Sequence, residues 1–186
     1  MGQDIQTTQN VNAIFTKEDA YQILELINTW ISNIDTKVSF ALALSGILIS
    51  FIFSAGLPNA LIKISQVSKI KELNGSEIIG AILVCILYVV SFISILYFML
   101  AIIARIKNPN NFQSILFFGS IATMKLLDYK TKVNSMNQQE ILEDLGEQIH
   151  INSMICNKKA KYYNKGMKFL MATIVIWFIC MSFRLI

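Results

Sequence analysis

The charge map of this chain leaves three long gaps. Between Lys37 and Lys63 lie 25 consecutive uncharged residues, between Glu77 and Arg105 lie 27, and between Lys168 and Arg184 lie 15. A helix needs roughly 20 apolar residues to cross the hydrocarbon core of a bilayer. The first two gaps exceed that length. The third is short, but Lys168 and Arg184 at its ends can snorkel to the headgroups. A charge at mid-bilayer costs about 2.5–3.5 kcal/mol on insertion scales, so charge-free runs of this length point to lipid as the solvent. Composition agrees: 54% of residues are apolar and 15% charged, against about 25% charged in an average soluble domain. The spans are read at 38–57, 78–104 and 167–186. At 186 residues, one domain is expected.

Lys and Arg near the span ends set orientation. Segment 105–168 carries Arg105, Lys107, Lys125, Lys130, Lys132, Lys158, Lys159, Lys161, Lys165 and Lys168, whereas segment 58–77 carries Lys63, Lys69 and Lys71. The long segment is expected on the cytoplasmic side, the N-terminus with it, and Lys37 at the mouth of the first span. The net charge of +4 thus belongs to topology. The basic residues border spans and do not cluster with aromatics on a soluble face, which argues against nucleic acid as a partner. The first 20 residues are polar, which argues against a cleaved signal peptide. The start Met-Gly-Gln-Asp-Ile-Gln lacks the Ser or Thr of a myristoylation site.

Residues 1–15 read as a flexible N-terminus. Thr16, with Asp19 three residues on, is a helix-start signature. Ala20, Ile23, Leu24, Ile27, Trp30, Ile31 and Ile34 then follow at helical spacing. This predicts a cytosolic helix over 16–37 that runs into the span at 38–57. In that span Ser39, Ala43, Gly46, Ser50 and Ser54 share one face. Small residues so spaced let two membrane helices approach closely, either by self-association or by packing on the second span. Leu57-Pro58-Asn59 ends the span, and 58–77 reads as an external loop with an amphipathic stretch near 60–73 and a turn at Asn74-Gly75. Asn108-Pro109-Asn110-Asn111 is a turn after the second span.

Segment 105–166 reads as a cytosolic helical region. Its stretch FQSILFFGSIATM (112–124) is apolar, too short to span, and interrupted by Gly119. Phe117, Phe118 and Gly119 are candidates for a turn where cytosolic helices dock, or for an interfacial anchor of the second span. Asn137, with Glu140 three residues on, marks a second helix start. Ile141, Leu142, Leu145, Ile149, Ile155 and Tyr162 follow at helical intervals, with acids early and lysines late, as the helix dipole favours. This helix is expected to continue through Gly166 into 167–186.

No enzyme chemistry is expected, and no catalytic, cofactor or metal site. There is no phosphate-binding glycine loop, no His/Asp/Ser set and no CxxC pair among Cys85, Cys156 and Cys180. The one histidine, His150, lies six residues before Cys156, so the two point to different helix faces. Asp35 and Lys37, two apart on a helix, do not face each other. Their expected roles are a bundle contact and an interface anchor.

Three of these stretches, in order, resemble the Pycsar-type transmembrane effectors of bacterial anti-phage defence. The helix over 27–50 carries Trp30, Asp35 and Lys37 where that family has a Trp-containing helix leading through Asp-x-Lys into a small-residue-rich span. Phe117, Phe118, Gly119, Ile121 and Ala122 resemble its Phe-Phe-Gly-x-Ile-Ala element. Asp144, Leu145, Gln148, Ile149, Ile155 and either Lys159 or Lys161 resemble its third element. A Pro-Arg pair often follows the second span in that family, where this chain has Arg105-Ile106-Lys107. The chain ends at Ile186 directly after a span, so an appended cyclic-nucleotide-binding domain is not expected.

The resemblance implies a membrane effector of the bacterial inner membrane that impairs it when infection triggers synthesis of a cyclic pyrimidine mononucleotide. The expected fold class is an all-α membrane protein: three transmembrane helices with cytosolic helical extensions forming a bundle, assembled as a homo-oligomer. The expected partners are the lipid bilayer and a separate sensor or nucleotide cyclase, with Gln148 and His150 on the coupling helix. A non-pore anchor or scaffold for a soluble defence protein is the alternative. A small channel or transporter component ranks last, since no span holds a charge and no inverted repeat is visible.

Overall fold

The computed structural model describes residues 15–54, 61–62, 74–104 and 114–186. The expected N-terminal segment before Phe15, the turn at 57–59, the amphipathic stretch near 60–73 apart from 61–62, and the turn at 108–111 lie outside the described residues. The fold class is the expected one, all-α with no strand among the described residues. The helices are α1 (Lys17–Ser54), α2 (Gly75–Ile102), α3 (Phe118–Thr123), α4 (Leu126–Ser135) and α5 (Gln138–Ser182). Of these, α1, α2 and α5 are long and apolar enough to cross a membrane. In lipid a helix satisfies its own backbone polar groups, which is why charge-free runs take this form. At 1.5 Å per residue α1 is about 57 Å long and α5 about 67 Å, roughly twice a hydrocarbon core.

The helix starts are built by local polar exchange. The Thr16 hydroxyl accepts from the Asp19 N–H at 3.2 Å, and the Asp19 carboxylate accepts from the Thr16 N–H at 2.9 Å and its hydroxyl at 2.7 Å. These bonds hold the Asp19 carboxyl below its ordinary range. Asn137 and Glu140 make the same reciprocal pair at the start of α5, both bonds at 2.9 Å. At the start of α2 the Glu77 carboxylate accepts from the Asn74 N–H at 3.2 Å.

The chain divides into two compact units, one of Met1–Leu26 with Asn108–Ile151 and one of Ile27–Lys107 with Asn152–Ile186. The second, larger unit is a bundle of α1, α2 and α5. The buried face of α1 is Val38, Ala41, Ser45, Leu48 and Ile52, at steps of three and four. On α2 it is Ala81, Val84, Leu87, Ser91, Ser94, Phe98 and Ala101. On α5 it is Lys159, Gly166, Leu170, Thr173 and Cys180. Such seams are those of left-handed bundles. Phe40, Leu44, Ile47 and Phe51 form a separate side of α1 and are exposed, which in a bilayer means contact with lipid. Stacked Phe53–Tyr88 and Tyr97–Phe169 ring pairs, at 5.0 and 5.5 Å, add contacts between helices.

In the first unit the buried residues include Ala20, Ser114, Ile115, Asp144, Leu145 and Gln148. Here α4 falls inside the segment read as a helical region, at residues with no start signal of their own. Its ten residues bury nothing, and Asp128 in the first turn with Lys132 in the last suits the helix dipole.

Candidate functional site

The bundle contains one charged contact that links its three helices. Lys159 is 6% exposed, and its ammonium lies 2.6 Å from the Asp35 carboxylate of α1 and donates to the Ile102 carbonyl at the end of α2 at 3.2 Å. The last carbonyls of a helix lack intrahelical donors, and a cation there also opposes the negative end of the dipole. One ammonium thereby joins α1, α2 and α5. Asp35 is the more open partner, with its side chain 43% exposed. Of the two lysines that resemble the family's third element, Lys159 is buried in the pair and Lys161 is exposed. Nearby, the Asn152 amide donates to the Asn28 side-chain oxygen at 2.9 Å.

Two helical turns further into the bundle, α2 and α5 meet at Gly166. The Ser94 hydroxyl donates to the Gly166 carbonyl at 3.0 Å. A Cβ added to Gly166 would fall 2.7 Å from the ring of Phe98, which is itself fully buried. Below this contact Ser45, Ser91, Ser94 and Thr173 surround a cavity of about 10 Å³ together with Leu48, Ile49 and Leu170. The hydroxyls of Ser45, Ser91 and Thr173 donate to the carbonyls four residues back, at 2.7, 2.7 and 2.9 Å. These bonds turn the hydroxyl donors back onto their own helices, and the cavity surface is almost wholly apolar.

The small-residue face of α1 is placed elsewhere. Ser39, Ala43, Gly46 and Ser50 are exposed, and a Cβ on Gly46 would meet no atom within 4 Å. Ser54 is the last residue of α1. Packing within the bundle falls to the stripe on the far side of α1, Val38, Ala41, Ser45, Leu48 and Ile52. Trp30 and Lys37 are exposed.

In the first unit the third sequence element has a definite job. The Asp144 carboxylate is fully buried and accepts the Ile115 N–H at 2.9 Å, while its other oxygen has no hydrogen-bond partner. The Ser114 hydroxyl accepts the N–H groups of Leu116 and Phe117, both at 3.0 Å. These bonds fix the approach to α3. Phe117 and Phe118 then lie ring to ring at 4.8 Å, and both are exposed. A Cβ on Gly119 would sit 2.6 Å from the Phe117 ring, so this turn needs glycine unless that ring swings aside. Gln148 is buried, Ile149 half-buried and His150 exposed.

Among the described residues no three His, Cys, Asp or Glu side chains gather as metal ligands. Cys156 is half-buried, and burial pushes its thiol above the ordinary cysteine value, with Lys159 opposing. Sequence reasoning missed the Lys159 bridge, Gly166 and Ser94. The available signals were a lysine on an otherwise apolar heptad seam and an isolated glycine inside a long helical pattern.

A family model described as the Pycsar effector protein domain matches residues 19–186. The chain is also similar to a protein described as Pycsar effector protein GmPycTM, from Gulbenkiania mobilis, with 34% identity over 177 residues that cover 88% of this chain and 90% of the relative. No solved structure matches the chain.

Proposed function

The chain belongs to the Pycsar effector family, and from that premise we propose that it is a multi-pass inner-membrane effector that oligomerises and breaches the membrane barrier when triggered. As a member of that family with three apolar helices it is a membrane effector of anti-phage defence. The observation that carries the reading further is that the family match takes in all three helices together with the segments that join them. In this reading the N-terminus and the long segment lie in the cytoplasm, which the lysines bordering the spans, Lys37 and those of 105–168, support. The protein acts without catalysis, and a separate nucleotide cyclase supplies its signal.

In this reading the Asp35–Lys159–Ile102 contact holds the cytoplasmic ends of the three spans in the resting state. Self-association uses the small-residue stripe of Ser39, Ala43, Gly46, Ser50 and Ser54, of which the first four are exposed and permit close approach between copies. The trigger must bind the breached state better than the resting one, because only differential affinity moves such an equilibrium. Its site of action is the first unit, with Asp144, Gln148 and His150 on the helix that continues into the last span.

The test is phage challenge of cells carrying the chain with its cyclase partner. Plaque numbers should fall while propidium iodide enters the infected cells. Gly46→Leu, which meets no obstacle within the chain, should abolish both the oligomer on a native gel and the dye entry. Protection with dye excluded would overturn the barrier reading and favour a scaffold for a soluble partner.

A further inference from the structure

The helices α3 and α4 have 6 and 10 residues and no buried residue in either. Isolated helices shorter than about 12 residues are marginal in water, and most helical stability in proteins comes from packing an apolar face. Among the described residues nothing buries a side chain of either helix. The side chains that would use such packing are present: Phe118 and Leu127 are each 75% exposed and Leu126 69%, and Phe117 and Val133 are exposed as well. On α4, Leu126, Tyr129 and Val133 recur at helical spacing on one side, with Asp128, Thr131 and Ser135 on the other. Lys125 and Lys130 are exposed beside the apolar side, and their stems can lie along it.

We propose that the segment from Phe117 to Val133 is an interfacial anchor that lies on a bilayer surface rich in anionic lipid. Its aromatic and leucine side chains enter the headgroup boundary, and Lys125 and Lys130 meet the lipid phosphates. Bulky apolar residues interleaved with lysines are what such a surface selects. The charge balance decides between lipid and a second copy. Lys125, Lys130 and Lys132 stand against Asp128 alone, so two copies meeting at this face would set like charges together, whereas anionic headgroups complement them. The chain also keeps a bilayer within reach. The roughly 13 residues from Ala104 to Phe117 span at most about 45 Å when extended, and a short tether makes the second contact effectively intramolecular. The anchor rests on membrane insertion of the chain. It needs neither the cyclase, nor the oligomer, nor the breach.

The test uses the full chain with Cys85, Cys156 and Cys180 replaced by alanine and a nitroxide attached through Leu126→Cys or, as a control on the polar side, Thr131→Cys. The protein is reconstituted in phosphatidylcholine vesicles with or without phosphatidylglycerol. With phosphatidylglycerol, the label at position 126 should relax faster with oxygen than with an aqueous nickel chelate, and the label at 131 the reverse. Lys125→Gln and Lys130→Gln should each weaken that preference by about fivefold. A label at 126 as open to nickel as the control overturns the anchor. Equal preference in both vesicle types overturns its anionic component. Dipolar broadening at 126 that vanishes on dilution with unlabelled protein shows a second copy on this face and overturns it too.

Discussion

Lys159 occupies a seam position where the bundle otherwise places apolar or small side chains, and its environment makes a directional prediction. Removing one partner of a buried ion pair is costly because the other charge is left without compensation, commonly by 3–5 kcal/mol when both are buried. Here the partners differ. Asp35 is open enough to be rehydrated when alone, and Lys159 is not. Asp35→Ala should therefore cost about 1–3 kcal/mol, and Lys159→Met, which also extends the apolar seam, clearly less. Thermal unfolding in detergent checks this, and the opposite ranking would contradict the geometry. The two glycines differ in the same way. Gly166→Ala drives a methyl into the Phe98 ring and should cost about 1–3 kcal/mol, partly recovered in a Gly166→Ala/Phe98→Leu double variant, since contacting sites are not additive. Gly46→Ala should leave the melting temperature unchanged or raise it. Cys156 carries a pH prediction. Its thiol titrates above the ordinary value because burial disfavours the thiolate. Alkylation of the folded protein should be slower at neutral pH than in denaturant and should turn on at higher pH. The raised value stabilises the fold below the unfolded cysteine's pKa, and that contribution is lost as pH rises through the folded one.

At the scale of elements, the long helices were legible because two independent signals coincide, charge-free length in the spans and reciprocal caps at Thr16 and Asn137. The faces of those helices were not. In water an apolar stripe reveals the buried side. In lipid both sides are apolar, so Phe40 and Leu44 on the lipid side of α1 look no different from Leu48 and Ile52 in the core. Small residues were the remaining cue, and they occur on two nearly opposite faces of α1. Only three-dimensional packing assigns Ala41 and Ser45 to the core and Ala43 and Gly46 to the surface. The first unit was harder still. The apolar spacing in α4 is only three residues long, Leu126, Tyr129 and Val133, too short to announce a helix, and no residue of α4 is buried. Asp144 read as part of an acidic helix start but is a buried acceptor for the Ile115 N–H. Asp144→Ala should leave that N–H unsatisfied at a cost of about 1–3 kcal/mol. The loss should be local, seen as faster amide exchange and proteolysis over residues 114–123, while Asp144→Asn, which keeps an acceptor oxygen, changes less.

For the whole molecule, the family match and the three apolar helices make a membrane effector, and the charge distribution proposes which way it sits. The proposed mechanism depends on marginal contacts. One ammonium joins the three helices of the bundle, Gly166 leaves room for the Phe98 ring between α2 and α5, and a small cavity remains in the core between them and α1. A bundle held this way can change its packing for a few kcal/mol, which is the scale on which a bound signal acts. The most direct measurement is the membrane potential of phage-infected cells, followed with a voltage-sensitive dye from infection to lysis. Cells carrying the chain and its cyclase should depolarise before phage are released, and cells carrying Gly46→Leu should not. Protected cells that hold their potential throughout would contradict the account.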